Sequence, residues 1–80
     1  FNANTLIRYA LSEEGSFSLV IYNVLGQQVR TLATGKGAAS THAARWDGLN
    51  DRGTPAASGL YFYRLQQSGR AQTRRMTLLR

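Results

Sequence analysis

Residues 46–65 of the chain read WDGLNDRGTPAASGLYFYRL, and this stretch decides the fold. It predicts a strand that ends in Trp46, a turn region punctuated by glycine, and then an aromatic strand that begins at Gly59. Alternating aromatic residues on such a strand direct their rings to one side, as the core of a β-sandwich requires. We therefore predict an all-β fold in which Trp46, Tyr61 and Tyr63 lie between two sheets.

Short strand-like runs recur along the whole chain. Apolar alternation and turn residues predict about seven antiparallel strands, at 5–11, 17–22, 29–32, 41–46, a brief edge pairing around Pro55, 59–66 and 72–79. The small residues 34–40 are predicted to form a loop. The predicted architecture is an Ig-like antiparallel β-sandwich. The parity of the apolar residues predicts its core, which comprises Ile7, Tyr9, Phe17, Leu19, Ile21, Trp46, Tyr61, Tyr63, Leu65, Met76 and Leu78.

Length and composition bound the possible functions. We expect the 80 residues to form one small domain, and the start at Phe1 suggests that it is cut from a longer secreted protein. Ten basic residues against four acidic ones give a net charge of +6, and no acidic residue follows Asp51. Such a surface attracts anions, although arginines that only solubilise exposed strands are the alternative. The absence of cysteine excludes a disulfide framework and thiol chemistry.

The residues that could support catalysis lack partners. His42 is the only histidine and there is no cysteine, so neither a His/Cys metal site nor a Ser-His triad is complete. Glu13 and Glu14 are adjacent and would point to opposite sides of an extended chain. We therefore expect no catalytic, cofactor-binding or metal-binding residue, and we expect that the protein is not an enzyme.

One loop resembles an oxygen-rich calcium site. It contains Asp47, Asn50 and Asp51, but Leu49 and Ser58 stand at the third and twelfth positions, where an EF-hand loop places ligands. Aspartate and asparagine also stabilise turns without any metal. The sequence therefore leaves open whether this loop binds calcium.

Five short motifs, in order along the chain, carry a family resemblance. Residues 1–11, with the pattern FNxxTxIxYxL, resemble an opening strand, and VIYNVLGQQV at 20–29 resembles a strand, a glycine bend and a second strand. HAARWDG at 42–48 is similar to HxxxWDG, and SGLYFYRL at 58–65 is similar to SGxYxYxL. TRRMTLLR at 73–80 resembles a closing basic tail with methionine and leucine. Together they resemble the C-terminal sorting domain of the bacterial type IX secretion system, which is related to the Ig-like domain of the flagellar hook-capping protein.

The resemblance implies a non-catalytic C-terminal module that directs an upstream cargo domain across the outer membrane of a Gram-negative bacterium. The route runs through the periplasm and leads to secretion or to attachment at the cell surface. The implied partners are the outer-membrane secretion machinery, anionic surface lipopolysaccharide and the covalently linked cargo domain. We expect neither nucleic acid nor a small-molecule substrate as a partner.

The residues expected to carry partner recognition lie in the closing tail, and they are Arg74, Arg75, Met76, Leu78 and Arg80. The apolar pair would dock the strand, while the arginines stay free to bind carboxylates or phosphates. The family often has lysine at its terminal basic positions, and arginine keeps the charge but changes the donor geometry. The family usually has proline where this chain has Ala3.

Three other functions stay open at this point. A carbohydrate-binding accessory module of a secreted hydrolase needs exposed aromatic rings, and the predicted inward positions of Tyr61 and Tyr63 count against it. Leu60 and Phe62 face the other way and would form an apolar patch if both are exposed. An Ig-like structural spacer or assembly domain needs no special C-terminus. Nucleic-acid binding fits the charge, but the chain has no motif that reads bases.

Overall fold

The computed structural model describes residues 4–79, which form six antiparallel strands in two sheets. The strands are β1 (Thr5–Ala10), β2 (Gly15–Asn23), β3 (Gln28–Gly37), β4 (Thr41–Trp46), β5 (Gly59–Gln67) and β6 (Arg70–Leu78). Strands β1 and β4 form one sheet, and the other four form a second sheet in the order β3-β2-β5-β6. The predicted all-β, Ig-like sandwich is confirmed, with six strands rather than seven. Within residues 4–79, no helix is long and apolar enough to cross a membrane.

The brief edge pairing predicted around Pro55 is present as an isolated antiparallel bridge, and it does not add a seventh strand. Pro55 makes only an isolated bridge to Leu49, and beside it the amide of Asn50 donates to the carbonyl of Thr54 at 2.9 Å. Proline has no N–H to donate to a ladder, so the pairing cannot extend through it. The segment between β4 and β5 is therefore a loop, and hydrogen bonds between its own residues hold it together.

Strand β3 is longer than predicted, and the predicted loop at 34–40 is mostly strand. Residues 33–37 of β3 pair with residues 15–19 of β2. Gly37, at the end of β3, is closely packed, because a Cβ on it would lie 2.7 Å from Leu11 Cδ1 and 3.3 Å from Phe17 Cε1. Real Cβ atoms rarely approach a neighbour so closely, so a low-volume residue is needed at this position.

The core follows the predicted parity. Trp46, Leu19, Ile21 and Leu78 are fully buried between the sheets. Other predicted core residues are buried or pack against this cluster, and they are Ile7, Tyr9, Tyr61, Tyr63, Leu65 and Met76. Phe17 is partly buried, and its ring centroid lies 5.7 Å from that of Tyr9.

The two sheets differ in width, since one has two strands and the other has four, so part of the wider sheet is left uncovered. Strand β4 lies beside β3 at one side of the sandwich, so its partner β1 lies toward β5 and β6. The two-stranded sheet does not reach across the inner face of β6, where Gln72 and Arg74 are exposed. One side of the sandwich is therefore open between β1 and the β5–β6 hairpin.

Candidate functional site

The last strand is fixed to the sandwich by its apolar side chains. In the described part of the chain, β6 is an edge strand whose neighbour is β5. Leu78 is 1% exposed and stands opposite Gly59, while the partly buried Met76 stands opposite Tyr61. These two members of the predicted recognition set therefore anchor the strand, as their spacing predicted.

The predicted arginines do not form one surface. Arg74 pairs with Tyr63, whose side chain faces the core, whereas Arg75 pairs with Phe62 on the opposite face. Successive residues of a strand point to opposite sides, so the two exposed arginines lie on different faces of the sheet. Arg80 lies outside the described residues. The tail thus presents cationic groups on two separate surfaces.

Arg74 lines an open groove between β1 and the β5–β6 hairpin. Its first part encloses about 280 Å³, between Arg8, Tyr9 and Ala10 on one side and Tyr63, Leu65 and Arg74 on the other. An adjoining part of about 130 Å³ shares Ala10 and Leu65 with the first and extends to Arg70. We call this feature the basic groove. Within residues 4–79, no aspartate or glutamate lines either part.

Two residues of the basic groove, Arg8 and Arg70, were not among the predicted recognition residues. Arg8 comes from the first strand and Arg70 from the start of the last, far apart in the chain. Only the packing of the two sheets brings Arg8 toward Arg74. The one signal in the sequence is that Arg74 shares the parity of Met76 and Leu78, so it belongs to the inner face of β6.

The outer face of the four-stranded sheet carries the other arginine. Arg75 stands opposite Phe62, which in turn pairs with Tyr22 on β2. Both rings are partly buried, while Leu60 at the same face is 40% exposed. Tyr61, by contrast, is buried in the core. The apolar patch anticipated around Leu60 and Phe62 is therefore only half open to solvent.

The acidic loop between β4 and β5 is held to β3 by its carboxylates. Asp47 forms a salt bridge with Arg30 at 3.2 Å, and Asp51 accepts hydrogen bonds from the Thr31 amide at 2.9 Å and from Gln28 Nε2 at 3.1 Å. The Thr31 amide hydrogen bond, followed by that from Gln28 and the nearby charge of Arg30, lowers the pKa of Asp51. These contacts clamp the loop onto the neighbouring strand.

The side-chain oxygens of this loop already accept hydrogen bonds from the protein. The Asn50 Oδ1 atom accepts from the amides of Arg52 and Thr54, at 2.9 and 3.0 Å. Among residues 4–79, no three His, Asp or Glu side chains are grouped so that they could share a metal ion. The Asn50 side chain thus stabilises the backbone of the loop, while Asp51 holds the loop to β3.

His42 is engaged in local packing. Its Nε2 atom lies 2.8 Å from the carbonyl oxygen of Ala38 and 3.2 Å from the Ser40 hydroxyl. A carbonyl oxygen can only accept, so Nε2 carries a proton in the contact with Ala38. The ring also stacks on Tyr9, with centroids 5.5 Å apart. These contacts tie the start of β4 to the preceding loop and to β1.

A comparison with known families agrees with this architecture. The family model of the FlgD Ig-like domain matches residues 2–70, and the match ends at Arg70, where β6 begins. No curated protein and no solved structure matches the chain. Domains of this family are typically non-catalytic, and the family indicates a structural or assembly role. The match covers most of the sandwich described above, and the chain belongs to the FlgD Ig-like domain family.

Proposed function

We propose that this domain is a C-terminal sorting module that directs an upstream cargo domain to the outside of a Gram-negative cell. Two observations support the proposal. The five sequence motifs resemble those of type IX sorting domains, and the fold belongs to the related FlgD Ig-like family. In this proposal the domain is one part of a longer secreted protein that reaches the surface through the periplasm.

The observation that carries the proposal is that β6 combines buried apolar side chains with exposed arginines. Leu78 is buried and Met76 is partly buried, whereas Arg74 and Arg75 are exposed. Among residues 4–79, neither arginine forms a salt bridge. The strand therefore presents uncommitted guanidinium groups from a fixed backbone, which suits recognition by a receptor.

The chemistry of arginine suggests the partners. A guanidinium group donates parallel hydrogen bonds to a carboxylate or a phosphate. Carboxylates of the outer-membrane secretion machinery and phosphates of lipopolysaccharide are both suitable acceptors. We propose that the secretion machinery binds the tail first, and that the tail binds lipopolysaccharide at the cell surface after export.

A reporter fusion tests the proposal. Residues 1–80 are joined to the C-terminus of a periplasmic reporter in a host that has type IX secretion, and the extracellular fraction is measured. We expect export of the intact fusion, and retention in the periplasm when Arg74, Arg75 and Arg80 are all changed to glutamate. The control changes three exposed residues elsewhere, as Lys36→Glu, Arg45→Glu and Arg52→Glu, and alters the net charge by the same amount.

The results for the intact fusion and for the tail variant test two different claims, the sorting function itself and the role of the arginines in it. Export of the folded tail variant at the intact level contradicts the role of these arginines. Failure of the intact fusion to leave the periplasm contradicts the sorting proposal itself. Deletion of the tail is a poor test because it removes buried Leu78 along with the arginines, so loss of export would follow from unfolding.

A structural spacer or assembly domain is the second candidate. It is favoured by the extent of the family match, which ends at Arg70 and so does not include the residues proposed to carry sorting. A spacer needs the sandwich but not the exposed arginines. It therefore predicts that the tail variant and the control variant behave alike in every assay of assembly.

A further inference from the structure

We propose that the basic groove binds an extended acidic peptide segment of a partner protein, and that this segment adds as a strand to the free edge of β1. This site goes beyond the proposed sorting function, because it is a binding property of the isolated domain. It involves Arg8 and Arg70, which the sorting proposal does not use.

The edge of β1 supplies the backbone groups for such a strand. In the described part of the chain, β1 pairs with β4 alone. Because β4 lies beside β3, the other edge of β1 faces the β5–β6 hairpin across the groove. An edge strand presents a row of N–H and C=O groups, and extended peptides bind such edges by continuing the sheet.

The shape of the groove fits a strand better than a compact ligand. Its two parts, of about 280 and 130 Å³, adjoin at Ala10, Leu65 and Gln72 and so run along the half of the hairpin nearest its turn. Partly buried Tyr63 and Leu65 form an apolar floor. A strand added about 4.8 Å from β1 would cover this floor and widen the two-stranded sheet to three strands.

The positive charge of the groove favours an acidic peptide. Arg8, Arg70 and Arg74 line it, and among the described residues no acidic side chain does. Glu13 lies near one end, where its carboxylate is hydrogen-bonded to the Ser68 hydroxyl. Glutamates at alternate positions of the peptide can therefore reach guanidinium groups at the groove. A second copy of the domain is a poor occupant, because each copy carries a net charge of +6.

Direct titration tests the site. The purified 80-residue domain is titrated with a labelled eight-residue peptide of alternating glutamate and valine, and binding is followed by fluorescence anisotropy. We expect saturable binding that weakens as salt is raised, because the ion pairs are exposed. In NMR spectra of the complex, the largest amide shifts should fall in residues 5–10.

Matched variants locate the site. The double variant Arg8→Glu and Arg74→Glu should weaken binding by about tenfold or more, since it turns attraction into repulsion. The control is Arg45→Glu with Arg75→Glu, which makes the same change of charge with one exposed arginine on each sheet. The control should weaken binding by no more than about threefold, through long-range charge alone. If the reversed variant does not fold, Arg8→Gln with Arg74→Gln replaces it.

Peptide analogues separate strand addition from simple charge attraction. Two peptides are N-methylated at alternate residues, one at the odd positions and the other at the even positions. Because the N–H groups of alternate residues point to the same edge of a strand, each peptide loses the hydrogen-bond donors of one edge only. One of these peptides should lose binding and the other should keep it. Equal binding of both N-methylated peptides, no binding of the parent peptide, or equal loss in the two double variants would each overturn the proposal. So would tighter binding of an oligonucleotide that displaces the peptide, because a nucleic acid cannot continue a sheet.

Discussion

The rings of Trp46 and Tyr61 meet edge to face, with centroids 5.2 Å apart and planes inclined by 72°. Each side chain also donates a hydrogen bond to the loop that connects β4 with β5. Trp46 Nε1 donates to the carbonyl of Leu49 at 2.9 Å, and the Tyr61 hydroxyl donates to the carbonyl of Ala57 at 2.6 Å. Since Trp46 is in β4 and Tyr61 is in β5, this pair joins the two sheets and secures both ends of the loop.

Replacing Trp46 by alanine should be the most damaging single change in the core. The side chain is fully buried, and deletion of a large aromatic residue costs about 3–5 kcal/mol. A domain of 80 residues has a total stability of about 4–12 kcal/mol. We expect Trp46→Ala to be largely unfolded at 37 °C, whereas Trp46→Phe should stay folded. Urea denaturation followed by circular dichroism measures both, and wild-type stability of Trp46→Ala would contradict the prediction.

Replacing Tyr61 by phenylalanine isolates the hydroxyl contact. The ring and its contact with Trp46 remain, while the hydrogen bond to Ala57 is lost. The expected cost is about 1 kcal/mol, the usual contribution of one such bond. Tyr63→Phe is the matched control, because this residue is only partly buried and lies on the same strand. A larger loss of stability in the control than in Tyr61→Phe would show that the hydroxyl contact is unimportant.

Two adjacent leucines near the end of the chain should respond very differently to truncation. Leu78 is 1% exposed and Leu79 is 74% exposed. Leu78→Ala should lower the free energy of unfolding by about 2–5 kcal/mol, because it leaves a cavity in the core. Leu79→Ala should change it by less than about 0.5 kcal/mol. Chemical denaturation of both variants measures the contrast, and equal effects would contradict the inward register of β6.

Acid should weaken the clamp between Asp51 and β3. The folded pKa of Asp51 lies below its ordinary value of 3.8. The contribution to stability is therefore present above that value and is lost as the pH falls through the folded pKa. We expect the melting temperature to fall on acidification below about pH 4, and to fall less steeply in Asp51→Asn. Glu14→Gln, in the exposed turn before β2, should keep the wild-type slope. Identical slopes in both variants would exclude Asp51 as the source.

Strand parity was enough to predict most of the core from the sequence. Over residues 17–21 and 61–65 one parity is entirely large and apolar, whereas the other also contains Ser18 and Arg64, so the pattern assigns Leu19, Ile21 and Tyr61 to the inside. Strand β3 could not be bounded in the same way. Its second half lacks any apolar alternation, and the close packing of Gly37 there involves Leu11 and Phe17 from elsewhere in the chain.

The candidate site was predictable only in part. The anchoring of the tail by Met76 and Leu78 followed from their spacing. The alternation of the strand also implies that Arg74 and Arg75 lie on opposite faces, although both were predicted to belong to one recognition surface. The groove that joins Arg8 to Arg74 depends on how far the small sheet extends over the large one, and no local pattern in the sequence encodes that distance.

The central pairing of β2 with β5 has a consequence for the order of folding. The β2–β3 and β5–β6 hairpins are local and can form early, but their union pairs residues 17–23 with residues 61–67, which are far apart in the chain. Closing such long loops is slow, so this step should limit the folding rate. We therefore expect substitutions at Leu19 and Leu65, which face each other in that pairing, to slow folding. We expect the sheet that contains Trp46 to pack after this step, so substitutions at Trp46 should instead speed unfolding.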